Sequence, residues 1–123
     1  MPRSNLSDLE IRISQAIVRF EKEFMGRGPM ETRTWIIDDL VLVRLKNVLT
    51  PAEQQLATAD DSERGRGLIK QLRQQLLERG RPILESIVVD TLGIPVKSLH
   101  TDISTRTGER IIVFTLTQPY QPK

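Results

Sequence analysis

Between residues 6 and 25, apolar side chains return every three or four positions: Leu9, Ile13, Ala16, Ile17, Phe20 and Phe24. That spacing gathers them into one stripe and predicts a helix. Ser7 and Glu10 stand at capping-box spacing and mark its start. Gly26 and Gly28 suit a helix end, and Pro29 blocks continuation. From 31 to 48 the pattern changes to "ETRTWIIDDLVLVRLKNV", rich in β-branched and aliphatic residues and interrupted at Asp38-Asp39. It predicts a β-hairpin turning there, with the turn type open. The second strand, Leu40 to Leu45, begins apolar on both faces. An antiparallel strand with one wet face would alternate, so this strand is expected to be covered on both sides.

In "LTPAEQQLA", Thr50 is a good N-cap, Pro51 fits the first helical position and Glu53 completes a capping box. A helix of about two turns should start here. "TADDSERGRG" is polar and contains glycine, which predicts a mobile surface loop. From Leu68 a helical stripe returns through Leu72, Leu76, Ile83, Ile87 and Val88. Gly80 and Pro82 interrupt it, so a kink or two abutting helices is expected. Gly93 and Pro95 close this segment as Gly28 and Pro29 close the first. "VKSLHTDIS" and "RIIVFTLT" then flank "TRTGE", a second hairpin with Gly108 as its turn residue. "QPYQPK" is a short frayed tail.

The expected fold is therefore α+β, with two antiparallel hairpins in one four-stranded sheet packed with helices. The parts are a first helix and hairpin at 6–48, a short helix and loop at 49–67, a long kinked helix and hairpin at 68–117, and the tail at 118–123. Helix, Gly/Pro break and hairpin occur twice, which fits either an αββ duplication or two ordinary units of similar make.

Totals then narrow the function. A chain of 123 residues suits one domain. With 18 Lys plus Arg against 16 Asp plus Glu, the net charge of +2 does not argue for nucleic acid. Aromatics are 4% of the chain, too few for stacking on single strands, so no nucleic-acid partner is expected. Cysteine is absent and His100 is the single histidine, which excludes thiol chemistry and disfavours a zinc site. No apolar run approaches the roughly 18 residues of a membrane helix, and the start lacks the apolar stretch of a signal peptide. A cytoplasmic protein is expected, with no cofactor and no metal.

Several of these residues carry a family resemblance. "GRGP" at 26–29, Arg33, Asp38, "LTPAE" at 49–53, Leu56, Ala57, Arg73 and "IIVFTL" at 111–116 stand in the order of a small bacterial family. The chain resembles the MpsC family, formerly a domain of unknown function, named after a Na+-translocating, membrane-potential-generating system. The resemblance covers nearly the whole chain. It implies an accessory or regulatory protein beside a membrane system that moves cations or inorganic carbon, peripheral to the inner membrane, with transporter subunits as partners. It carries over no catalytic residue.

Candidate sites are few. The glycine loop at 26–29 leaves a helix C-terminus, whose dipole repels anions, and lacks the Gly-Lys-Ser/Thr of a P-loop. A corner between helix and strand explains it, while Arg27 and Arg33 could build an anion site there. Arg64, Arg66, Arg73, Arg79 and Arg81 cluster later. Arg66, Arg73 and Arg81 could share one helix flank, either solvated and paired with Glu78 and Glu85 or facing an acidic partner. Docking through this arginine-bearing face and loop 58–67 is the mechanism compatible with an accessory role. The alternative is a binding module for a phosphorylated small molecule, built on Arg27, Arg33 and Arg73. His100 and Asp102 share a strand face. With Asp38 and Asp39 they could form a weak hydrolytic or hard-metal site, although turn aspartates and a half-exposed histidine explain them more cheaply. An enzyme is the least supported class. Two-faced apolar strands and few helices imply that a second copy covers part of the molecule, so a homodimer is expected.

Overall fold

The computed structural model describes residues 2–58 and 62–121. Helix α1 spans Pro2–Phe20 and widens into a π-helical turn at Glu21–Met25. Strands β1 (Glu31–Ile37) and β2 (Leu40–Lys46) follow, then α2 (Pro51–Thr58) and α3 (Ser62–Leu92), then β3 (Val96–Ile103) and β4 (Arg110–Leu116). The strands form one antiparallel sheet in the order β1-β2-β4-β3. The fold is α+β, as its periodicities predict.

Each hairpin keeps its strands adjacent, and β2 and β4 meet antiparallel at the centre. Two αββ units placed about a two-fold axis normal to the sheet would give this order. Both helices end on a glycine with positive φ, Gly26 at +90° and Gly93 at +72°, conformations a Cβ would strain. The first hairpin turns on Asp38, whose φ of +56° a short polar side chain tolerates. Its turn is tied to the end of β4, where Leu116 N–H donates to the Asp39 carbonyl at 2.7 Å.

The helices cover one sheet face. Val41, Val43 and Leu45 of β2 and Ile112, Phe114 and Leu116 of β4 are buried there, against Ile13, Ile17 and Phe20 of α1 and Ile69, Leu77, Leu84 and Val88 of α3. Helix α1 lies on edge strand β1. The Ile36 N–H donates to Glu10 Oε2 at 2.8 Å, and the Ser14 and Thr34 hydroxyls are 2.7 Å apart. An edge N–H is thereby taken up within the chain.

Four expectations are corrected. Helix α1 begins well before Ser7, so Ser7 and Glu10 do not cap it, and Glu10 serves the strand edge instead. Helix α3 is one unbroken run of 31 residues, including Ser62–Gly67, which the sequence suggested as loop; positions 59–61 lie outside the described residues. Gly80 and Pro82 do not divide it. Pro82 and Glu78, the residue four positions before it, are both on the exposed side of the helix. Gly80 faces inward, and a Cβ there would lie 2.6 Å from Phe20 Cζ and 3.2 Å from Phe24 Cε2. Those two rings stack with centroids 5.1 Å apart. Finally, the buried stripe of α3 runs through Ile69, Arg73, Leu77, Gly80, Leu84 and Val88, one residue out of phase with the expected Leu68 and Leu72, which stay exposed.

These close approaches give a prediction. Gly80→Ala forces the Phe20 ring from its place and should lower stability by about 1–3 kcal/mol. Gly65→Ala, whose Cβ would collide with the Leu56 carbonyl of α2, should do the same. Gly67→Ala, where nothing lies within 4 Å, should not destabilise. Urea unfolding of the three variants checks this.

Candidate functional site

Charge is concentrated beneath the sheet. Glu21 is fully buried, and Arg73 and Arg110 are each 2% exposed. Every one of them occupies a core position of a periodic pattern. Glu21 follows Ile17 by four residues, Arg73 lies midway between Ile69 and Leu77, and Arg110 opens the buried alternation Arg110, Ile112, Phe114, Leu116. The π turn starts at Glu21, and such turns gather at functional sites and irregular packing.

Arg73 is the centre of this cluster. Its Nε donates to Glu53 Oε2 at 2.8 Å and its Nη2 to Glu53 Oε1 at 2.6 Å, a bidentate pair. Nη2 also donates to the Val48 carbonyl at 2.8 Å. Glu53 is fixed in turn by the capping box legible in the sequence. It accepts the Thr50 N–H at 2.8 Å while the Thr50 hydroxyl accepts the Glu53 N–H at 3.2 Å. Glu21 is held more loosely, its oxygens 3.7 Å from Arg73 Nη1 and 3.6 Å from Arg110 Nη1. Those lengths give Coulomb attraction without a hydrogen bond, and both Glu21 oxygens lack a hydrogen-bond partner among the described residues. Arg110 Nε donates to the Thr101 hydroxyl at 3.3 Å, which donates to the Ile111 carbonyl at 2.8 Å.

The pKa values of the two carboxylates are moved in opposite directions. Burial pushes Glu21 above its ordinary value, against the pull of Arg110 and Arg73. Burial acts to raise Glu53 as well, but the Arg73 hydrogen bonds and the Thr50 N–H outweigh it and hold Glu53 low. Burial also lowers Arg110, which Glu21 opposes.

Beside the cluster, a cleft of about 440 Å³ separates α3 from edge strand β3, with Arg73 and Arg110 in its floor. Arg81 and Lys70 reach across it from α3. Arg81 Nη2 donates to the Leu99 carbonyl at 3.4 Å, and Lys70 Nζ is 3.5 Å from Asp102 Oδ1. Arg81 is also paired with Glu85 at 3.2 Å and Glu78 at 3.7 Å. Its positive charges are thus matched by carboxylates already present.

The structure separates the residues that sequence reading grouped. Arg27 lies in the reversal after the π turn, its N–H donating to the Glu21 carbonyl at 3.3 Å. Arg33 stands on the opposite sheet face, its guanidinium carbon 4.8 Å from the Trp35 ring centroid. Arg73 is buried beneath the inner face, so Arg27, Arg33 and Arg73 do not converge. Arg64 is exposed on α3, and Arg66 donates to the Ala57 carbonyl at 3.5 Å. Arg73 is therefore not on a solvated flank with Arg66 and Arg81. His100 and Asp102 share the outer face at mid-strand, whereas Asp38 and Asp39 sit at the hairpin turn near the end of β4. Among the described residues, no group of three or more His, Asp or Glu could hold a metal ion. Sequence reasoning missed Glu21 and Arg110, although a charged residue inside an apolar period was the signal.

Comparison with known proteins gives matches over nearly the whole chain. The family model described as "Na+-translocating membrane potential-generating system (MpsC)" matches residues 5–118. The chain belongs to the MpsC family. This MpsC chain is also 41% identical over 114 residues to the uncharacterized protein YbcI of Bacillus subtilis (strain 168), covering 93% of the chain and 90% of YbcI. No solved structure matches it.

The ionic cluster yields a second prediction. Glu53→Gln breaks the bidentate pair with buried Arg73 and should cost about 3 kcal/mol at pH 7. Glu21→Gln removes a carboxylate that makes no hydrogen bond among the described residues but faces Arg73 and Arg110 at 3.7 and 3.6 Å, and should cost less than Glu53→Gln, which breaks a bidentate pair. The folded pKa of Glu53 is lowered, so its contribution is present above 4.5 and lost as pH falls through the folded value. That of Glu21 is raised, so its cost is absent below 4.5 and grows as pH climbs through the folded value. Urea titrations from neutral pH into acid should show the Glu53→Gln deficit shrinking below pH 4.5.

Proposed function

We propose that this MpsC protein is a non-enzymatic accessory or regulatory subunit of a bacterial Na+-translocating system, acting at the membrane rather than across it. Two facts support the reading. The family takes its description from such a system. No described helix is long and apolar enough to cross a membrane, so this chain's described helices do not furnish the ion path.

The observation that carries the docking mode is the outward ridge of α3. Leu68, Leu72 and Ile83 are half-exposed, Leu72 at 51%, on a flank about 100° round the helix from the buried stripe. Arg64 and Arg79 share that side at helical spacing, and Leu56 of α2 is exposed nearby. Apolar residues that the core does not use, set among arginines, suit a helix or loop of a membrane subunit bearing both apolar and acidic groups. The same arginines favour the anionic cytoplasmic leaflet beside it. An anion-binding module on Arg27, Arg33 and Arg73 has less support, because Arg73 already holds two carboxylates and the others lie elsewhere.

Co-purification tests the proposal. Tagged protein, expressed with the Na+-translocating system and extracted in mild detergent, should retain the membrane subunits. The variant Leu72→Asp with Arg79→Glu should retain at least about tenfold less, with an unchanged circular dichroism spectrum. Recovery of no membrane subunit by the parent protein overturns the proposal. Flotation with subunit-free anionic vesicles separates lipid attraction from subunit docking.

A further inference from the structure

The outer face of the sheet is uncovered by any described element, yet it is not a polar face. Its rows follow from the strand register. The row nearest the first turn is Ile37, Leu40, Thr115 and Ser98; the next is Trp35, Leu42, Val113 and His100; the third is Arg33, Arg44, Ile111 and Asp102. Ile37 is 53% exposed and Leu40 is exposed as well. An antiparallel sheet that shows one face to water alternates apolar with polar residues. Strands β2 and β4 instead place Leu40, Leu42, Ile111 and Val113 on the outside, directly over a buried inner face.

We propose that a second copy of this chain packs on this face, sheet against sheet, about a two-fold axis parallel to the strands between β2 and β4. The edges are poor sites for self-association. Glu10 of α1 takes an N–H of edge strand β1, and Arg81 of α3 takes a carbonyl of edge strand β3. Association therefore goes through the face, where two sheets pack aligned at about 30° and about 10 Å apart.

Charge chooses the axis. A two-fold parallel to the strands lays β1 of one copy over β3 of the other and β2 over β4. Arg33 then meets Asp102 of the second copy, Trp35 meets its His100, Leu42 meets its Val113 and Arg44 meets its Ile111; Lys70 of the same copy comes within 3.5 Å of Asp102 Oδ1, but the Asp102 side chain is 82% exposed and can turn its other oxygen to Arg33. The same contacts recur on the other side, so each corner closes an opposite-charge pair. A two-fold perpendicular to the strands sets the Arg33 and Arg44 row against Ile37 and Leu40, burying two cations on apolar side chains. The first arrangement gives Arg33 a carboxylate and sets one cation per copy, Arg44, on an apolar side chain instead of two, with Arg44 still held by Glu109 of its own copy at 2.7 Å.

Sedimentation velocity and light scattering test this on the full chain. The parent protein should run at twice 14.1 kDa at about 100 µM. Leu42→Glu, at the centre, should yield monomer with an unchanged circular dichroism spectrum and a cooperative melt. Arg33→Asp alone, or Asp102→Arg alone, should weaken dimerisation about tenfold or more. Combining Arg33→Asp with Asp102→Arg should restore it, a rescue that general destabilisation would not produce. A monodisperse 14.1 kDa parent, or a dimer indifferent to Leu42→Glu, overturns the proposal. Weakening by both single reversals without rescue overturns the axis.

Discussion

A guanidinium with almost no access to water holds the two halves of this protein together. Arg73 comes from the middle of α3, yet its partners belong to other segments: Glu53 in α2, the Val48 carbonyl just past β2, and Glu21 in the turn that ends α1. A cation in such a place is tolerated only when its charge and donors are met. Helix α3 is thereby fixed against the first helix-and-hairpin unit as well as against its own strands. Arg110 brings β4 to the same carboxylate, so Glu21 receives one cation from each of two elements of the second unit.

This economy commits Glu53 to structure, whereas Glu21 keeps two oxygens without a hydrogen-bond partner among the described residues. A catalytic group needs a free lone pair or proton facing a reactant. Here Glu53 spends its oxygens on Arg73 and on the cap of α2, and the cleft beside the cluster has its cations already neutralised. What the fold leaves unspent lies on two sides of the molecule: the uncovered sheet face and the exposed ridge of α3.

Much of this was readable before any coordinate, and the exceptions have physical causes. The hairpins, their turns at Asp38-Asp39 and Gly108, and the Thr50–Glu53 capping box follow from local chemistry, and all are present. Helix α3 deceived because it carries two apolar rows, Leu68-Leu72 and Ile69-Leu77. Periodicity cannot say which one a core will claim when a charged residue, Arg73, interrupts the buried one. Gly80 looked like a break because its partner was invisible: only the arrival of Phe20 makes a missing Cβ useful there. Ser7 and Glu10 matched a cap by spacing alone, while the group that needed Glu10 was an N–H of Ile36, far along the chain.

The sequence by itself determined the main helices, the two hairpins and the family, because each depends on neighbouring residues or on composition. Tertiary structure alone decided which face of α3 is buried, that Glu21, Glu53, Arg73 and Arg110 meet, and that the outer sheet face stays apolar and open. Those outcomes depend on segments distant in the chain. Dehydrating a charge is costly enough that its position is settled only when every partner has arrived.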